Sequence, residues 1–357
     1  MRRLLAAVFL AGPVCGLAAG EVYPGYTWES LADGVYLHSQ DDPLAGPVDG
    51  NSVVVISENG VLVVDTHINP AVAGAVIEKI RALTDVPVTH VVNTHWHDDH
   101  TNGNHAYRQA FPGVKIVAHK DTLKALRAEW EAMEDQRRSA YATVDPEELR
   151  RMADELEGSA PDTAITYRVY SGYVAALRPE LPTLVLEYPD TVFEEALTLD
   201  FGNRSVELRW LGRGNTDGDI VAWLPDDRVL VTGDLLVAPV PFAFDSPMVA
   251  WSTTLRRLSE FDAETIVPGH GAPQYDETHL ALVTKLIETT TDRVRVAHGR
   301  GAAFEDLPAA VNLDDFRGEF AGENRERQWA WQTYFVEPGL KSAWISLGYP
   351  LPEDARQ

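Results

Sequence analysis

The sequence contains a single cysteine, Cys15, in a chain of 357 residues. Cys15 lies in an N-terminal segment that we expect to be removed, so the mature chain should contain no cysteine. Disulfide bonds, thiolate metal ligands and a cysteine nucleophile are therefore excluded from it. The sequence also lacks Gly-x-Ser-x-Gly, the pattern that would indicate a serine nucleophile of the α/β-hydrolase type.

Long apolar runs are also scarce, and one of them lies at the N-terminus. Arg2 and Arg3 precede the mostly apolar segment Leu4–Leu17, and small residues follow at 18–20. This order is typical of a secretory signal peptide, and the apolar stretch is too short to span a bilayer as a stable helix. We therefore expect residues 1–20 to be removed and the protein to be periplasmic or secreted, without stable membrane insertion.

Positive charge is under-represented, since 54 acidic residues face 30 basic ones and the formal net charge is -24 at pH 7. Removal of Arg2 and Arg3 with the leader would shift this charge to -26. A surface of this sign repels nucleic acid and anionic lipid. We expect a small-molecule substrate and no nucleic-acid partner, and the sequence does not indicate an oligomeric state.

Alternating apolar segments predict an α/β protein. Residues 53–56 and 61–64 are β-branched runs around Glu58-Asn59-Gly60, which predicts a hairpin. Asn69-Pro70 predicts the start of a helix that runs to about Leu83. The elements fall into two similar halves, which favours two sheets sandwiched between helices. The other predicted elements are strands at 88–93, 116–118, 183–186, 197–199, 206–211, 220–224, 229–232 and 265–267, and a helix at about 249–261.

We expect residues 21–300 to form one domain with a helical insertion near 120–180. The insertion is rich in Glu, Arg and Ala, and Asp145-Pro146 predicts a helix start within it. The tail at 301–357 is expected to be helical and to pack on the domain because it carries large aromatic residues. These are Trp329, Trp331, Tyr334, Phe335 and Trp344.

The strand predicted at 88–93 ends in the sequence Thr94-His95-Trp96-His97-Asp98-Asp99-His100. Zinc prefers imidazole nitrogen and carboxylate oxygen, and a catalytic zinc site keeps one position open for water. His95 and His97 are placed to share one ion, while Asp99 and His100 are placed to reach a second. We therefore expect one or two zinc ions, or another divalent metal, that activate a hydroxide.

The pattern His-x-His-x-Asp-His after a strand resembles the signature of the metallo-β-lactamase superfamily. Other sequences typical of that family follow in the same order, at Gly212–Asp219, Thr232-Gly233-Asp234 and Pro268-Gly269-His270-Gly271. The resemblance extends over roughly residues 30 to 290. It implies an αββα sandwich of two mixed sheets with the metals at one edge of the sheets.

The resemblance also implies a role for each site residue. The metal ligands that it implies are His95 and His97 for the first site, and Asp99, His100 and His270 for the second. Asp234 matches the carboxylate that bridges the two metals in the glyoxalase II-like and lactonase-like branches. Asp65 matches a buried residue that orients ligands. Asp99 is also expected to assist proton transfer during catalysis.

One position departs from the family pattern. The sequence Gly-x-Gly-His-Thr-x-Gly-Asp normally supplies the third histidine of the first site, and Asn215 stands in its place. An amide oxygen is a neutral and weaker zinc ligand than imidazole. Three alternatives are open. Asn215 binds the metal directly or through a water, or the first position is empty at rest. The least favoured alternative is that His67 or His119 supplies the missing ligand. We expect a first position that is looser than the second.

The leading hypothesis for function is hydrolysis of an ester, lactone or amide by metal-activated hydroxide. A β-lactam is included but not preferred, because a bridging Asp234 is unusual in the true β-lactamase branches. Trp96, Phe242 and Phe244 are expected to line an apolar wall of the substrate pocket. The alternative is a non-catalytic or accessory protein with incomplete metal loading, for which Asn215 is the support.

Overall fold

Two β-sheets pack face to face in the computed structural model, which describes residues 20–130, 139–244, 246–352 and 355. Helices cover the outer face of each sheet. The architecture confirms the predicted αββα sandwich. The leader predicted at 1–20 lies outside the described residues except for Gly20, which begins the first strand.

The first sheet has eight strands, β1 to β8, in the order of the sequence. Each strand from β1 to β4 is antiparallel to the next one, whereas β5, β6, β7 and β8 run parallel to one another. The strands are β1 Gly20–Tyr23, β2 Tyr26–Ala32, β3 Val35–Gln40, β4 Ser52–Ser57, β5 Gly60–Val64, β6 Val88–Val92, β7 Lys115–His119 and β8 Thr191–Phe193.

The second sheet has five strands in the order β13-β12-β11-β10-β9. Only β12 and β13 are parallel within it, and its other neighbours are antiparallel. The strands are β9 Ala196–Asp200, β10 Ser205–Trp210, β11 Ile220–Leu224, β12 Val229–Gly233 and β13 Thr265–Pro268.

The two-residue periodicity of the strands decides which side chains meet between the sheets. Val53 and Val55 of β4 face the second sheet, whereas Val54 faces the helices on the other side. Burial of such side chains contributes about 1.5–3 kcal/mol each relative to exposure. The partners from the second sheet are Val206, Leu208, Ile220, Ala222, Leu224, Val229, Val231 and Val267.

The outer face of the first sheet is covered by α1, Pro70–Leu83. The Asn69 side chain caps this helix by accepting a hydrogen bond from the Ala71 backbone N–H at 2.8 Å. Pro70 occupies the first turn, where a missing N–H costs nothing. Short helices begin within or after the sequence His95–His100, namely α2 Asp98–Thr101, α3 Asn104–Ala110 and α4 Lys120–Ala125, the last continued by a π-helix at Leu126–Trp130.

Two longer helices pack against each other in the region predicted as an insertion. They are α5 Pro146–Leu156, capped by Asp145 as its sequence predicts, and α6 Pro161–Leu177. The strand predicted at 183–186 is wrong: the backbone N–H groups of Thr183 and Leu184 both donate to the Glu180 carbonyl. These bonds form a turn after α6, so the N–H groups of Thr183 and Leu184 are not available to a sheet.

The outer face of the second sheet is covered by α7 Met248–Leu258, α8 Thr278–Gly299 and the C-terminal tail. Trp251 of α7 and Phe335 of the tail are both fully buried in this layer. The tail contains α9 Leu307–Ala310, α10 Asp314–Phe320, α11 Arg325–Ala330, a π-turn at Trp331–Val336 and α12 Glu337–Ser346. None of the described helices is both long and apolar enough to cross a membrane.

Candidate metal centre

The predicted ligands follow the carboxyl ends of parallel strands. β6 leads into His95 and His97, while β12 and β13 lead into Asp234 and His270. Parallel strands end at the same sheet edge, so the strand pairs of the two sheets bring these side chains to one place. Within the described residues, two groups there could hold a metal ion: His95, His97 and Asp234, and Asp99, His100 and His270.

The second group has the spacing expected of zinc ligands. Zinc–ligand distances of about 2.0–2.1 Å imply separations of about 3.3 Å between the ligand atoms of a tetrahedron. The Nε2 atoms of His100 and His270 are 3.3 Å apart. Asp99 Oδ2 lies 3.4 Å from the first of these atoms and 3.1 Å from the second. The three side chains therefore fit a single ion.

Asp234 faces both groups. Its Oδ1 lies 3.3 Å from Nε2 of both His100 and His270, close enough to bind the same ion as these two histidines. Its Oδ2 lies 3.7 Å from Nε2 of His95, and that Nε2 lies 3.0 Å from His97 Nδ1. One carboxylate oxygen thus faces each group, which is the arrangement that a bridging ligand requires.

Two glycines allow the backbone to approach these ligands. A Cβ atom on Gly269 would lie 1.9 Å from Asp234 Oδ1, and one on Gly50 would lie 2.6 Å from His100 Cε1. A side chain at either position would clash with the neighbouring ligand, so glycine allows both ligands to keep their positions. Asn51 fixes the adjacent loop, since its Nδ2 donates to the Pro268 and Gly271 carbonyls at 2.8 Å each.

Asp65 supports the second group through a contact with His100. Its Oδ2 lies 2.8 Å from His100 Nδ1 and accepts a hydrogen bond from Thr94 Oγ1 at 2.7 Å. Its Oδ1 accepts one from the Thr94 backbone N–H at 2.8 Å. A carboxylate that holds the Nδ1 proton leaves Nε2 free to bind metal. Thr94 was not singled out by the sequence analysis, although it directly precedes His95.

Asn215 is buried beside the first group. Its Nδ2 donates to the Phe242 carbonyl at 3.3 Å, which turns its Oδ1 the other way. That buried oxygen has no hydrogen-bond partner among the residues that the structure describes. Buried polar atoms are normally paired, so an unpaired acceptor on a residue that lines the same cavity as His97 fits a metal or a water bound to it. Asp219 holds the same loop by accepting from the Thr216 N–H at 2.6 Å.

The charges of the centre favour protons on two of its histidines. Burial alone would lower the pKa of His270, but the carboxylates of Asp234 and Asp99 outweigh it and raise that pKa to about 9. Carboxylate charges also outweigh burial at His100 and raise its pKa well above the ordinary value. Burial and the charge of His100 hold the pKa of His95 well below its ordinary value. Protons thus occupy the second group when no metal does.

His67 belongs to a chain of buried polar side chains that the sequence did not indicate. His67 places its Nε2 2.8 Å from His38 Nδ1 and its Nδ1 3.2 Å from Asp49 Oδ2. Asp49 also accepts from the Tyr26 hydroxyl at 2.6 Å and from the Ile68 N–H at 2.7 Å. His67 is therefore engaged with these groups. The three polar residues are scattered among apolar strands, so no sequence pattern indicates them.

His119, the other alternative ligand considered from the sequence, and His105 lie elsewhere. His119 stacks on Trp210 with ring centres 5.5 Å apart, and its Nε2 lies 2.8 Å from the Glu194 carbonyl oxygen. His105 Nδ1 lies 2.8 Å from Glu187 Oε1. Neither residue belongs to the two ligand groups.

A cavity of about 440 Å³ opens beside the first group and is lined by His97, Asn215, Trp96 and Phe244. Trp96 and Phe244 therefore lie where the sequence analysis expected a pocket wall. Phe242 does not line this cavity but is buried, with its ring 5.0 Å from that of His270. The other residues that line the cavity are Lys124, Arg213, Asp121, Ala125, Ala128, Thr216, Asp217, Gly218 and Pro247.

The insertion and the tail also reach the centre. Tyr173 of α6 and Tyr334 of the tail pack on the cluster formed by Val48, Val237 and Phe242. Burial, reinforced by the charge of Asp99, raises the pKa of Tyr173 well above its ordinary value. Its phenol therefore stays protonated and neutral near that carboxylate. Both tyrosines are far from the other site residues in the sequence, so their position near the centre could not be predicted from it.

A family model described as the metallo-beta-lactamase superfamily matches residues 45–270, a range that includes every predicted ligand. The chain belongs to the metallo-beta-lactamase superfamily. Two relatives in the superfamily differ in their named activities. A linear primary-alkylsulfatase from Pseudomonas sp. is 24% identical over 262 residues, which cover 69% of this chain and 45% of that protein. A type 2 metallo-beta-lactamase from Bacteroides fragilis is 23% identical over 265 residues, covering 72% and 83%.

A solved structure shares the superfamily fold. The metallo-beta-lactamase from Pontibacter korlensis aligns with a TM-score of 0.53 and 18% identity, over 74% of this chain and 99% of that one. At this identity the likeness shows the fold alone. The chain spans less than half the length of the alkylsulfatase, so the activity of that protein is not transferred with the match.

We expect zinc binding to release protons, because His100 and His270 ligate only after losing them. Both pKa values are raised, to about 9 for His270, so zinc affinity should increase as pH rises. The increase should be about tenfold to a hundredfold per pH unit between pH 6 and 8, for one or two protons released. Competition with a chelator of known affinity at each pH measures it. His105→Gln should show the same slope, and a flat profile in the native protein would contradict the assignment.

We expect Asn215→His to tighten the first metal position, because imidazole is a stronger zinc ligand than an amide. The gain should be about ten- to a hundredfold, the range over which changes around a metal site alter affinity. Zinc titration of metal-free protein, resolved into two steps, measures it. Asn203→His, at an exposed asparagine, is the control. If the native protein already bound two ions with equal affinity, the first position would not be the looser one.

Proposed function

We propose that this chain is a zinc-dependent hydrolase of small-molecule esters, lactones or amides that acts in the periplasm or outside the cell. The observation that carries the proposal is the second ligand group, where the ligand atoms of Asp99, His100 and His270 lie 3.1–3.4 Å apart and Asp234 lies 3.3 Å from both histidines. Nitrogen and oxygen donors of this kind suit zinc. The named activities of both relatives are hydrolytic.

A divalent ion in this centre would lower the pKa of a bound water and so supply a nucleophile near neutral pH. The protein itself provides the proton acceptor. Asp99 keeps 15% of its side chain exposed, whereas His100 and His270 are fully buried. In ester hydrolysis, water adds its oxygen to the acyl carbon and gives up a proton to a base, the bond to the leaving oxygen breaks, and the base returns that proton to the leaving oxygen. We assign this proton transfer to Asp99.

The position of Asp234 and the named activities of the relatives indicate which class of substrate to expect. Asp234 faces both ligand groups, an arrangement that the sequence analysis associated with glyoxalase II-like and lactonase-like proteins. Carboxylic esters and lactones are therefore preferred to β-lactams. Sulfate esters join them, because an alkylsulfatase is among the relatives.

We expect the zinc-loaded protein to hydrolyse at least one member of a panel of chromogenic esters, a lactone and a chromogenic cephalosporin. A chelator should abolish the activity and added zinc should restore it. Asp99→Asn should lower kcat by about a hundredfold or more, because it removes both a metal ligand and a proton acceptor. Rates at saturating substrate, with zinc content measured on the same samples, separate these two losses.

The matched control is Asp162→Asn, because Asp162 is 78% exposed and lies outside the centre. This variant should retain the native rate. Uniform inactivity of zinc-replete protein on the whole panel would favour the accessory, non-catalytic alternative. Activity that survives complete zinc removal would sink the metal mechanism.

Export is tested separately. The basic, apolar and small-residue order of residues 1–20 predicts cleavage just before Glu21. N-terminal sequencing of protein recovered from the periplasm or medium should begin near Glu21. Accumulation of the full-length chain in the cytoplasm would contradict this part of the proposal.

A further inference from the structure

A second cavity adjoins the one at the metal centre. It has a volume of about 790 Å³, within the range of small-molecule binding sites. Both cavities share Arg213 and Pro247 as lining residues, so these two residues form the boundary between them. The second cavity, which we call the side groove, therefore lies directly beside the cavity lined by His97 and Asn215.

The side groove has apolar walls from three distant parts of the chain. Trp210 and Leu211 come from the end of β10, Val249 and Ala250 from α7, and Ile345 from α12. Val249 and Ile345 are 44% and 45% exposed, although large aliphatic side chains are usually buried. The remaining lining residues are Gly212, Ser246, Thr253, Thr254, Arg257, Ser342 and Ser346.

Polar contacts hold these walls in position. The Trp210 indole donates from Nε1 to the Asp217 carbonyl at 3.1 Å, and its ring stacks on His119. Arg257 donates to the Leu211 carbonyl at 2.5 Å, and Thr254 donates to the Arg213 carbonyl at 2.8 Å. The aromatic and aliphatic surfaces are therefore fixed before any ligand binds, which lowers the entropic cost of binding.

The boundary itself is suited to an aliphatic chain. Pro247 presents an apolar ring, and the Arg213 guanidinium is held by an ion pair with Asp217. A paired guanidinium leaves the methylene groups of arginine available for apolar contact. The boundary between the two cavities thus presents aliphatic carbon as well as charge.

We propose that the side groove holds an unbranched alkyl chain of the substrate while the ester group lies at the metal centre. This inference rests on the proposed hydrolytic function and adds a substrate class to it, namely esters with a medium-length alkyl chain. The position of the side groove beside the cavity of the first ligand group favours a substrate chain over a partner protein, because Arg213 and Pro247 line both cavities.

The activity test compares nitrophenyl acetate, butyrate, octanoate and decanoate, with alkyl sulfates of four to ten carbons as a second arm. The first series places the chain on the acyl side and the second on the alcohol side. We expect kcat/KM to rise about twofold or more per added methylene, since full burial of each would give about three- to fourfold. The rise should appear mainly in KM.

Two variants should remove this dependence. Val249→Asp places a charge in the side groove, and Ala250→Trp fills it. Each should lower kcat/KM for the long-chain ester by about tenfold or more and leave the acetate rate unchanged. The matched control is Val185→Asp, because Val185 is 46% exposed and lies outside the side groove. Equal losses on short and long chains in both groove variants would overturn the inference.

A binding measurement separates this inference from the proposed function. Decanoate, which carries the chain without a scissile bond, should displace a fluorescent fatty-acid analogue from the native protein. Its affinity should fall about tenfold or more in both groove variants and stay unchanged in Val185→Asp. Loss of all hydrolysis with intact decanoate binding would reject the hydrolase proposal alone. Hydrolysis of acetate without chain-length dependence in either arm and without decanoate binding would reject the side groove alone.

Discussion

The buried carboxylate of Asp65 ties together the ends of the two strands that form the base of the centre. It follows β5, accepts two hydrogen bonds from Thr94 after β6, and lies 2.8 Å from the ring of His100. A buried carboxylate without such partners would be very costly. The same contacts orient His100, and through it the spacing of the second ligand group. The position of His100 thus depends on a contact made behind the metal centre.

The sequence predicts those parts of the centre that are close together along the chain. His95 to His100 directly follow an apolar strand, so both their type and their spacing are visible. Asp234 and His270 were identified through the order of family motifs, since nothing local distinguishes a loop histidine from a ligand. The predicted strand at 183–186 was wrong because apolar periodicity does not register competing turn bonds, such as those to the Glu180 carbonyl.

Features formed by residues that are far apart in the sequence could not be predicted from it. The side groove joins Trp210, Val249 and Ile345, which belong to three separate elements and show no shared pattern. The polar chain of His38, His67 and Asp49 is hidden for the same reason. Core packing follows from the period of each strand, but the pairing of remote faces is decided only when the sheets and the tail come together.

The two ligand groups differ in charge as well as in ligand type. The second group contains Asp99 and one oxygen of Asp234, whereas the first shares only the other oxygen of Asp234 and has the neutral amide of Asn215 nearby. More negative charge favours a dication at the second group. The first group lies on the cavity side, with His97 and Asn215 in its lining. A weaker set of protein donors at that position leaves more of a bound cation's charge for an incoming substrate oxygen. Asn215, which we expect to weaken the first group, lines the cavity where the proposed substrate would bind, so its presence is compatible with the proposed hydrolysis.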